Sequence, residues 1–376
     1  MNILLVNYEF PPAGGGAGRA LDQISLQLAA DGRYSPHLLV GLDHSQSLPE
    51  CRVRRMLPVR VGRVSRHETG LRAMLEFLIK AALGLRFICR RHDIRLICYF
   101  FSLPTGLLSF IQPRSIPYIV SLRGGDVPGY NGSEFALLHR LLLPLNRAVV
   151  RRSAQVIALS DDLRRAAAAA LGATRGSLTI YNGSNFKPIE ASPATGERGF
   201  LDIICVSRLV SWKRIDLLIQ AIKPLPYARL TVIGDGSERD TLDALATRLG
   251  LADRIQFTGP LNHSELRNRM LAADVFCLPS VGDSFGQVYV EAMSCGLPVI
   301  AARAGGVPEI VVHGRCGILV EPNDLEALSA AIARLHDDAE LRLSIARHNP
   351  EYVAENFSWR HTAAQYSHAI DQALGQ

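Results

Sequence analysis

Short unbroken apolar runs alternate along this chain with stretches whose apolar residues recur every three or four positions. These are the periods of strands covered on both faces and of amphipathic helices. Ile3 to Val6, His37 to Val40, Arg95 to Phe100, Tyr118 to Leu122, Gln155 to Leu159 and Leu178 to Tyr181 read as strands. Helical spacing fills the gaps, with Leu21, Ile24 and Leu28 and then patterns at about 71–91, 104–111, 133–152 and 161–171. A polar passage bearing Pro and Gly, Lys187 to Gly199, reads as a linker, after which the alternation restarts. Strands are expected at Asp202 to Val206, Arg229 to Ile233, Arg254 to Phe257, Val275 to Leu278, Pro298 to Ala302 and Gly317 to Val320. Helices are expected near 213–222, 237–249, 263–271, 287–295 and 324–336, and two more close the chain at about 338–355 and 358–374. The pattern predicts an α/β protein of two tandem doubly wound, Rossmann-like domains, residues 1–190 and 196–356. In such a pair the ligand crevice is expected between the facing carboxyl ends of the two sheets.

Composition narrows the class. With 376 residues, 48% hydrophobic and 20% charged, the chain can fill two ordinary cores and does not resemble a disordered polymer. Seven cysteines (51, 89, 98, 205, 277, 295, 316) form no C-x-x-C pair and lie mostly in apolar runs. That reads as buried thiols in a reducing compartment, with neither a disulfide framework nor a zinc site. The first residues lack a basic, apolar leader, and no window approaches the roughly 18 apolar residues of a membrane span. A cytoplasmic protein, at most peripheral to a membrane, is expected.

Charge is unevenly distributed. Residues 1–190 hold 24 Lys/Arg against 13 Asp/Glu, and residues 191–376 hold 17 against 22. Residues 52–95 alone carry 12 basic and 3 acidic residues, interleaved with apolar ones such as Leu75, Phe77, Ile79, Leu83 and Phe87. A basic, apolar-striped stretch fits an anionic membrane surface or an anionic acceptor, and equally a core helix with a wet basic face. Nucleic acid is not an expected partner, because no recognition module and no aromatic stacking platform is present.

The chemistry concentrates at predicted strand ends. Strand Val275 to Leu278 leads through Pro279 and Ser280 into a loop with Asp283, Phe285 and Gly286, then into a helix that carries Glu291. Free N–H groups at that helix start welcome a phosphate or a sugar hydroxyl, and two carboxylates are offered at one crevice. After strand Ile203 to Val206 come Arg208, a planar fork for phosphate oxygens, and Lys213, a mobile point charge. Gly234-Asp235-Gly236 and Thr258-Gly259 end the next two strands. Near the N-terminus, Pro11 to Gly18 is a glycine-rich strand-to-helix turn, but its spacing is not the dinucleotide fingerprint. No metal-ligand cluster is apparent.

The ordered series Arg208-x4-Lys213, Gly234-Asp235-Gly236, Phe257-Thr258-Gly259 and Asp283-Ser-Phe-Gly-x4-Glu291-Ala-Met-x-Cys-Gly-x-Pro-Val resembles glycosyltransferase family 4, the retaining GT-B-fold enzymes. Asn182-Gly183, Gly305-Gly306-Val307-Pro308-Glu309 and Phe357-Ser358-Trp359 add to the likeness. The resemblance implies a sugar transferred from a UDP- or GDP-linked donor to a glycan or lipid-linked acceptor, with no metal and no cofactor beyond that co-substrate. It implies that Arg208 and Lys213 neutralise the donor diphosphate, helped by amides of Gly14, Gly15 and Gly16. Glu291 would accept ribose hydroxyls and Asp283 would hold the transferred sugar. Backbone N–H groups of Phe285, Gly286 and Gln287 would support the sugar and phosphate, and the base would lie near Gly234 and Gly259. The closing helix, about 357–376, would return to the first domain.

Two positions depart from the family pattern. Asp283 stands where relatives carry Glu, and Arg123-Gly124-Gly125-Asp126 stands where many carry His before Gly-x-Asp. Arg123 and Asp126 are acceptor-side candidates, or equally an ion-paired loop. The departures leave open a catalytically impaired nucleotide-sugar-binding relative serving as an interaction subunit. A two-domain dehydrogenase or epimerase would share the fold but not this set of residues.

Overall fold

A computed structural model describes residues 1–11, 15–44, 54–62, 70–130, 136–172, 176–189 and 199–375. The chain forms two compact units. One comprises Met1–Asn182 with Trp359–Gln376, the other Gly183–Ser358. Most of the passage expected as a linker, 190–198, lies outside the described residues.

In the first unit, β1 (Asn2–Asn7), α1 (Gly16–Ala30), β2 (Ser35–Asp43), β3 (Arg55–Val61), α2 (Leu71–Arg91), β4 (Leu96–Phe100), β5 (Tyr118–Ser121), α3 (Ala136–Arg152), β6 (Gln155–Ala158), α4 (Asp161–Leu171) and β7 (Ser177–Thr179) follow in order. The described strands make one parallel sheet, ordered β3-β2-β1-β4-β5-β6-β7. The apolar pattern finds β1, β2 and β4 to β7 but misses β3. Its sequence RMLPVRV is interrupted by Pro58, which a strand tolerates at a sheet edge, where an unpaired N–H is not required. The predicted helix 104–111 is a tighter 3-10 turn, Thr105–Phe110.

Parallel neighbours demand crossovers, and right-handed crossovers running in opposite directions along a sheet use opposite faces. From β1 the chain moves one way to β2 and β3, which puts α1 on one face. From β3 it moves the other way through β7, which puts α2, the Thr105–Phe110 turn, α3 and α4 on the opposite face. The α1 face would be thinly covered by one helix. It is completed by α11 (Trp359–Leu374), whose Trp359, Ala363, Tyr366 and Ile370 join Leu21, Ile24 and Leu28 of α1 in one buried cluster. Tyr366 hydroxyl lies 2.7 Å from Ser121 Oγ and Thr362 Oγ1 donates to the Tyr181 carbonyl at 2.8 Å. The last helix thus belongs to the first unit, as the resemblance implied.

In the second unit, β8 (Leu201–Val206), α5 (Ile215–Ala221), β9 (Ala228–Ile233), α6 (Arg239–Arg248), β10 (Ile255–Gly259), α7 (His263–Ala272), β11 (Val275–Leu278), α8 (Gln287–Ser294), β12 (Val299–Ala302), β13 (Gly317–Val320), α9 (Leu325–Asp337) and α10 (Ala339–Asn356) alternate as expected. The parallel sheet runs β10-β9-β8-β11-β12-β13. Its strand order reverses at β8, so the loops after β8 and β11 flank the switch point where open α/β sheets bind ligands. The six described cysteines are free and buried, and burial pushes the thiols of Cys98 and Cys205 up to about 12. No helix among the described residues is long and apolar enough to cross a membrane.

Tyr366 is fully buried and also accepts a bond from Arg123 Nη2 at 3.1 Å. Replacing Tyr366 by Phe strands two buried partners, so urea denaturation should report a loss of about 1–3 kcal/mol with an unchanged m-value.

Candidate functional site

The loop after β8 holds the cations. Lys213 ends a short 3-10 turn, Ser211–Lys213, and Arg208 stands exposed just past the strand. Trp212 lies between them, with Lys213 Nζ 4.4 Å and Arg208 Cζ 5.7 Å from its ring centroid. An indole face stabilises a nearby cation by about 0.5–2 kcal/mol and fixes its direction. Sequence reasoning passed over Trp212. The available signal was one of only two tryptophans in the chain, seated beside Lys213 in the run that carries both cations.

Lys213 meets the loop after β11. Its Nζ lies 2.6 Å from Asp283 Oδ1, with the two side chains 9% and 12% exposed. Two groups assigned to different parts of a donor are thus a direct ion pair. Among the described residues nothing hydrogen-bonds Asp283 Oδ2 or the buried Ser280 Oγ. The pair gives a nearly buried ammonium the counter-charge that offsets its loss of water.

Backbone contacts lock these loops. Val281 N–H donates to the Trp212 carbonyl at 3.0 Å, and Gly306 N–H donates to the Asp283 carbonyl at 2.9 Å. Gly305, at φ +58°, approaches so closely that a Cβ would stand 2.4 Å from the Asp283 oxygen. Gly234, at φ +132°, would place a Cβ 1.9 Å from the Ser207 carbonyl oxygen. Its N–H donates to the Gly259 carbonyl at 3.1 Å. The missing side chain of Gly234 is therefore first a packing requirement of the Arg208 loop. Gly259 is left-handed at φ +71°, with open space beside it.

Gly286, also left-handed, opens α8. Phe285 is buried and packs edge-on to Phe357 with ring centroids 6.0 Å apart. Along α8, Gln287 Nε2 donates to the Gly183 carbonyl at 2.8 Å, Asn185 Nδ2 donates to Glu291 Oε1 at 2.7 Å, and the hydroxyls of Ser184 and Ser294 lie 2.6 Å apart. The Asn182-Gly183 signal thus marks a segment that orients Glu291. Tyr289 is fully buried, and its hydroxyl donates to the Leu278 carbonyl at 2.9 Å.

In the first unit Gly15 and Gly16 open α1, while Gly14 lies outside the described residues. Here the sequence reading missed Glu9, whose Oε1 accepts the Gly18 N–H at 3.1 Å in the first turn of α1. Nothing in the local pattern marked that glutamate. Arg123 and Asp126 are both buried. The Arg123 guanidinium reaches Asn182 Oδ1 at 3.2 Å and lies 4.3 Å from the Phe100 ring centroid. Asp126 accepts N–H bonds from Ser102 at 2.7 Å, Arg123 at 2.9 Å and Gly124 at 3.1 Å. Burial pushes the Asp126 carboxyl up, and the donated N–H bonds pull it back. Of the two readings open for these residues, both side chains make loop-holding contacts. Among the described residues, no group of three or more His, Cys, Asp and Glu is placed to hold a metal ion.

The arrangement can neutralise an anion at the strand ends, orient a polar ring against Asp283, and offer Glu291 to hydroxyls. Comparison with known proteins supplies the class. The family described as "Glycosyl transferase 4-like domain" matches residues 15–183, and "Glycosyl transferases group 1" matches residues 191–351. A GDP-mannose-dependent alpha-(1-6)-phosphatidylinositol monomannoside mannosyltransferase of Mycolicibacterium smegmatis is 28% identical over 98% of each chain. Sucrose-phosphate synthase from Thermosynechococcus elongatus shares the fold at a TM-score of 0.86, with 23% identity over 100% of this chain and 99% of its own. HepE of Anabaena, solved with UDP and glucose, shares it at 0.74, with 24% identity over 98% of this chain and 99% of its own.

Gly234→Ala tests the locking of the Arg208 loop. A strained φ and a backbone clash should cost at least about 2 kcal/mol, read as a lowered melting temperature, whereas Gly259→Ala, strained but uncrowded, should cost less.

Proposed function

Because this chain belongs to the family 4 glycosyltransferases and acts on nucleotide-sugar donors, we propose that it is a retaining enzyme serving a glycan or lipid-linked acceptor. The observation that carries the reading is the cation pair on Trp212 beside Asp283, at the switch point of the second sheet.

The chemical demand is to break the bond between the anomeric carbon and a diphosphate oxygen. The electron pair leaves with the nucleoside diphosphate, and positive charge spreads over the anomeric carbon and ring oxygen. Arg208 and Lys213 sit where growing negative charge is stabilised best, Lys213 shielded from water and both held at the Trp212 ring. Asp283 holds Lys213 in that direction, beside the place of the transferred sugar. Amides at the start of α8 support the same ring and phosphate, and Glu291, set by Asn185, accepts the ribose hydroxyls. The acceptor hydroxyl oxygen bonds to the anomeric carbon on the face the diphosphate leaves, which retains configuration. Its proton passes to the departing phosphate oxygen, so no side-chain nucleophile and no cofactor is needed. The lipid-linked acceptor class is favoured by the mycobacterial relative, whose name specifies a phosphatidylinositol mannoside.

A panel of UDP- and GDP-sugars, assayed for nucleoside diphosphate release with membrane extracts as acceptor source, tests the reading. Turnover with one donor is expected, and no binding and no release across the panel would overturn it. With the active donor, Arg208→Ala and Lys213→Ala should each lower kcat/KM by about 10²–10³-fold. Because side-chain cations carry the leaving-group charge, EDTA should leave turnover within about twofold of the untreated rate. A loss restored by a divalent cation would require a different account of that charge.

A further inference from the structure

Helix α2 is apolar on two opposite faces. Ala73, Phe77, Ala81, Leu85 and Cys89, four residues apart, are buried beneath it. Leu71, Leu75, Ile79, Leu83 and Phe87 keep the same four-residue step, and all are exposed, Leu83 by 84%. The two series differ by two positions, about 200° around a helix, so the second points away from the core. A helix that only covers a sheet needs one apolar face. Among the described residues the outer stripe therefore has no explanation within the fold.

The same surface extends past α2. Both α2 and α3 pack on the Thr105–Phe110 turn, on the sheet face opposite α1. Arg86 Nε donates to the Ile111 carbonyl at 2.7 Å, and Arg152 lies 5.5 Å from the centroid of the half-exposed Phe110 ring. On α3, Leu137, Leu141 and Leu145 again step by four and are exposed. Outward leucines and aromatics thus run from α2 across Phe110 to α3.

Charge on these helices has one sign. Helix α2 carries five Arg/Lys against Glu76, which is already bound to Lys80 Nζ at 2.5 Å and to the Gly62 N–H at 2.8 Å. Helix α3 carries four Arg and no acidic residue. Arg72 and Arg86 lie seven residues either side of Ile79 and Arg90 eleven beyond, each about 20° from its direction. They are therefore set within the apolar stripe itself. Pairing this face with a second copy would oppose like charges across a two-fold axis. Apolar side chains flanked by Arg suit a bilayer interface, where the chains enter the acyl boundary and the guanidiniums meet phosphates.

We propose that the outer face of α2, Phe110 and α3 is a docking surface for a bilayer rich in anionic lipid. It engages with α2 lying in the membrane plane. This surface is separate from the donor site of the second unit and does not rest on its assignment.

The test uses the full chain with large unilamellar vesicles. Wild type should co-sediment with phosphatidylcholine/phosphatidylglycerol vesicles at least tenfold better than with phosphatidylcholine alone, and the preference should shrink at 0.5 M salt, where screening shortens to a few Å, about 4 Å. The pair Leu83→Glu/Phe87→Glu should reduce binding tenfold or more, with unchanged melting temperature and unchanged donor affinity. Leu83→Trp should gain fluorescence that brominated lipids quench. Equal partition to both vesicle types, or no effect of the double variant, would overturn the proposal. So would concentration-dependent self-association that the double variant abolishes, which would assign the face to a second copy.

Discussion

A strand in a parallel sheet must be followed by a crossover that returns the chain to the opposite end before the next strand begins. Every strand-to-helix loop therefore gathers on the carboxyl edge, and everything chemical in this protein hangs on that constraint. In the second unit it brings the loop after β8 and the loop after β11 side by side. Residues 70 positions apart then form one ion pair, Lys213 with Asp283. The loop after β8 has no acidic residue of its own and takes the partner of its ammonium from the loop after β11. Glycines let them touch, since Gly234 and Gly305 admit backbone where a methyl group would collide.

The first unit turns the same constraint to a different end. Crossovers in two directions leave one sheet face to α1 and the other to α2, α3 and α4. The thinner face is closed by α11, drawn from the far end of the chain. Tyr366 and Arg123 carry that closure to the edge of the sheet, where Asp126 holds the adjoining loop. The thicker face carries an outward apolar and basic surface that the described residues leave exposed. The proposed chemistry and the proposed docking thus fall on different units and different residues.

Most of the architecture was legible because its signals are local. A four- to six-residue apolar run covered on both faces cannot be mistaken for a solvated loop. A helix such as α2, expected at about 71–91 and found at Leu71–Arg91, shows its period over many turns. What failed was equally physical. Strand β3 is an edge strand with a proline, so it lacks the continuous apolar signature of its neighbours. The 3-10 turn Thr105–Phe110 carries helical spacing over too few residues to separate one helical geometry from another.

For the site, the sequence alone determined which groups follow strand ends: Arg208, Lys213 and Asp283 are read from the loops after strands and Glu291 from the helix after one, because a strand end is a local property. Which groups meet is not local. That Lys213 pairs with Asp283 and that Asn185 sets Glu291 follow from segments distant in sequence closing on one another, whereas Trp212 between the cations and Glu9 on an amide of α1 depend on how side chains turn within one stretch. The outward direction of the α2 stripe is of the same kind. The sequence showed a basic stretch interleaved with apolar residues, and only packing against the sheet decided which of those residues were left to the outside.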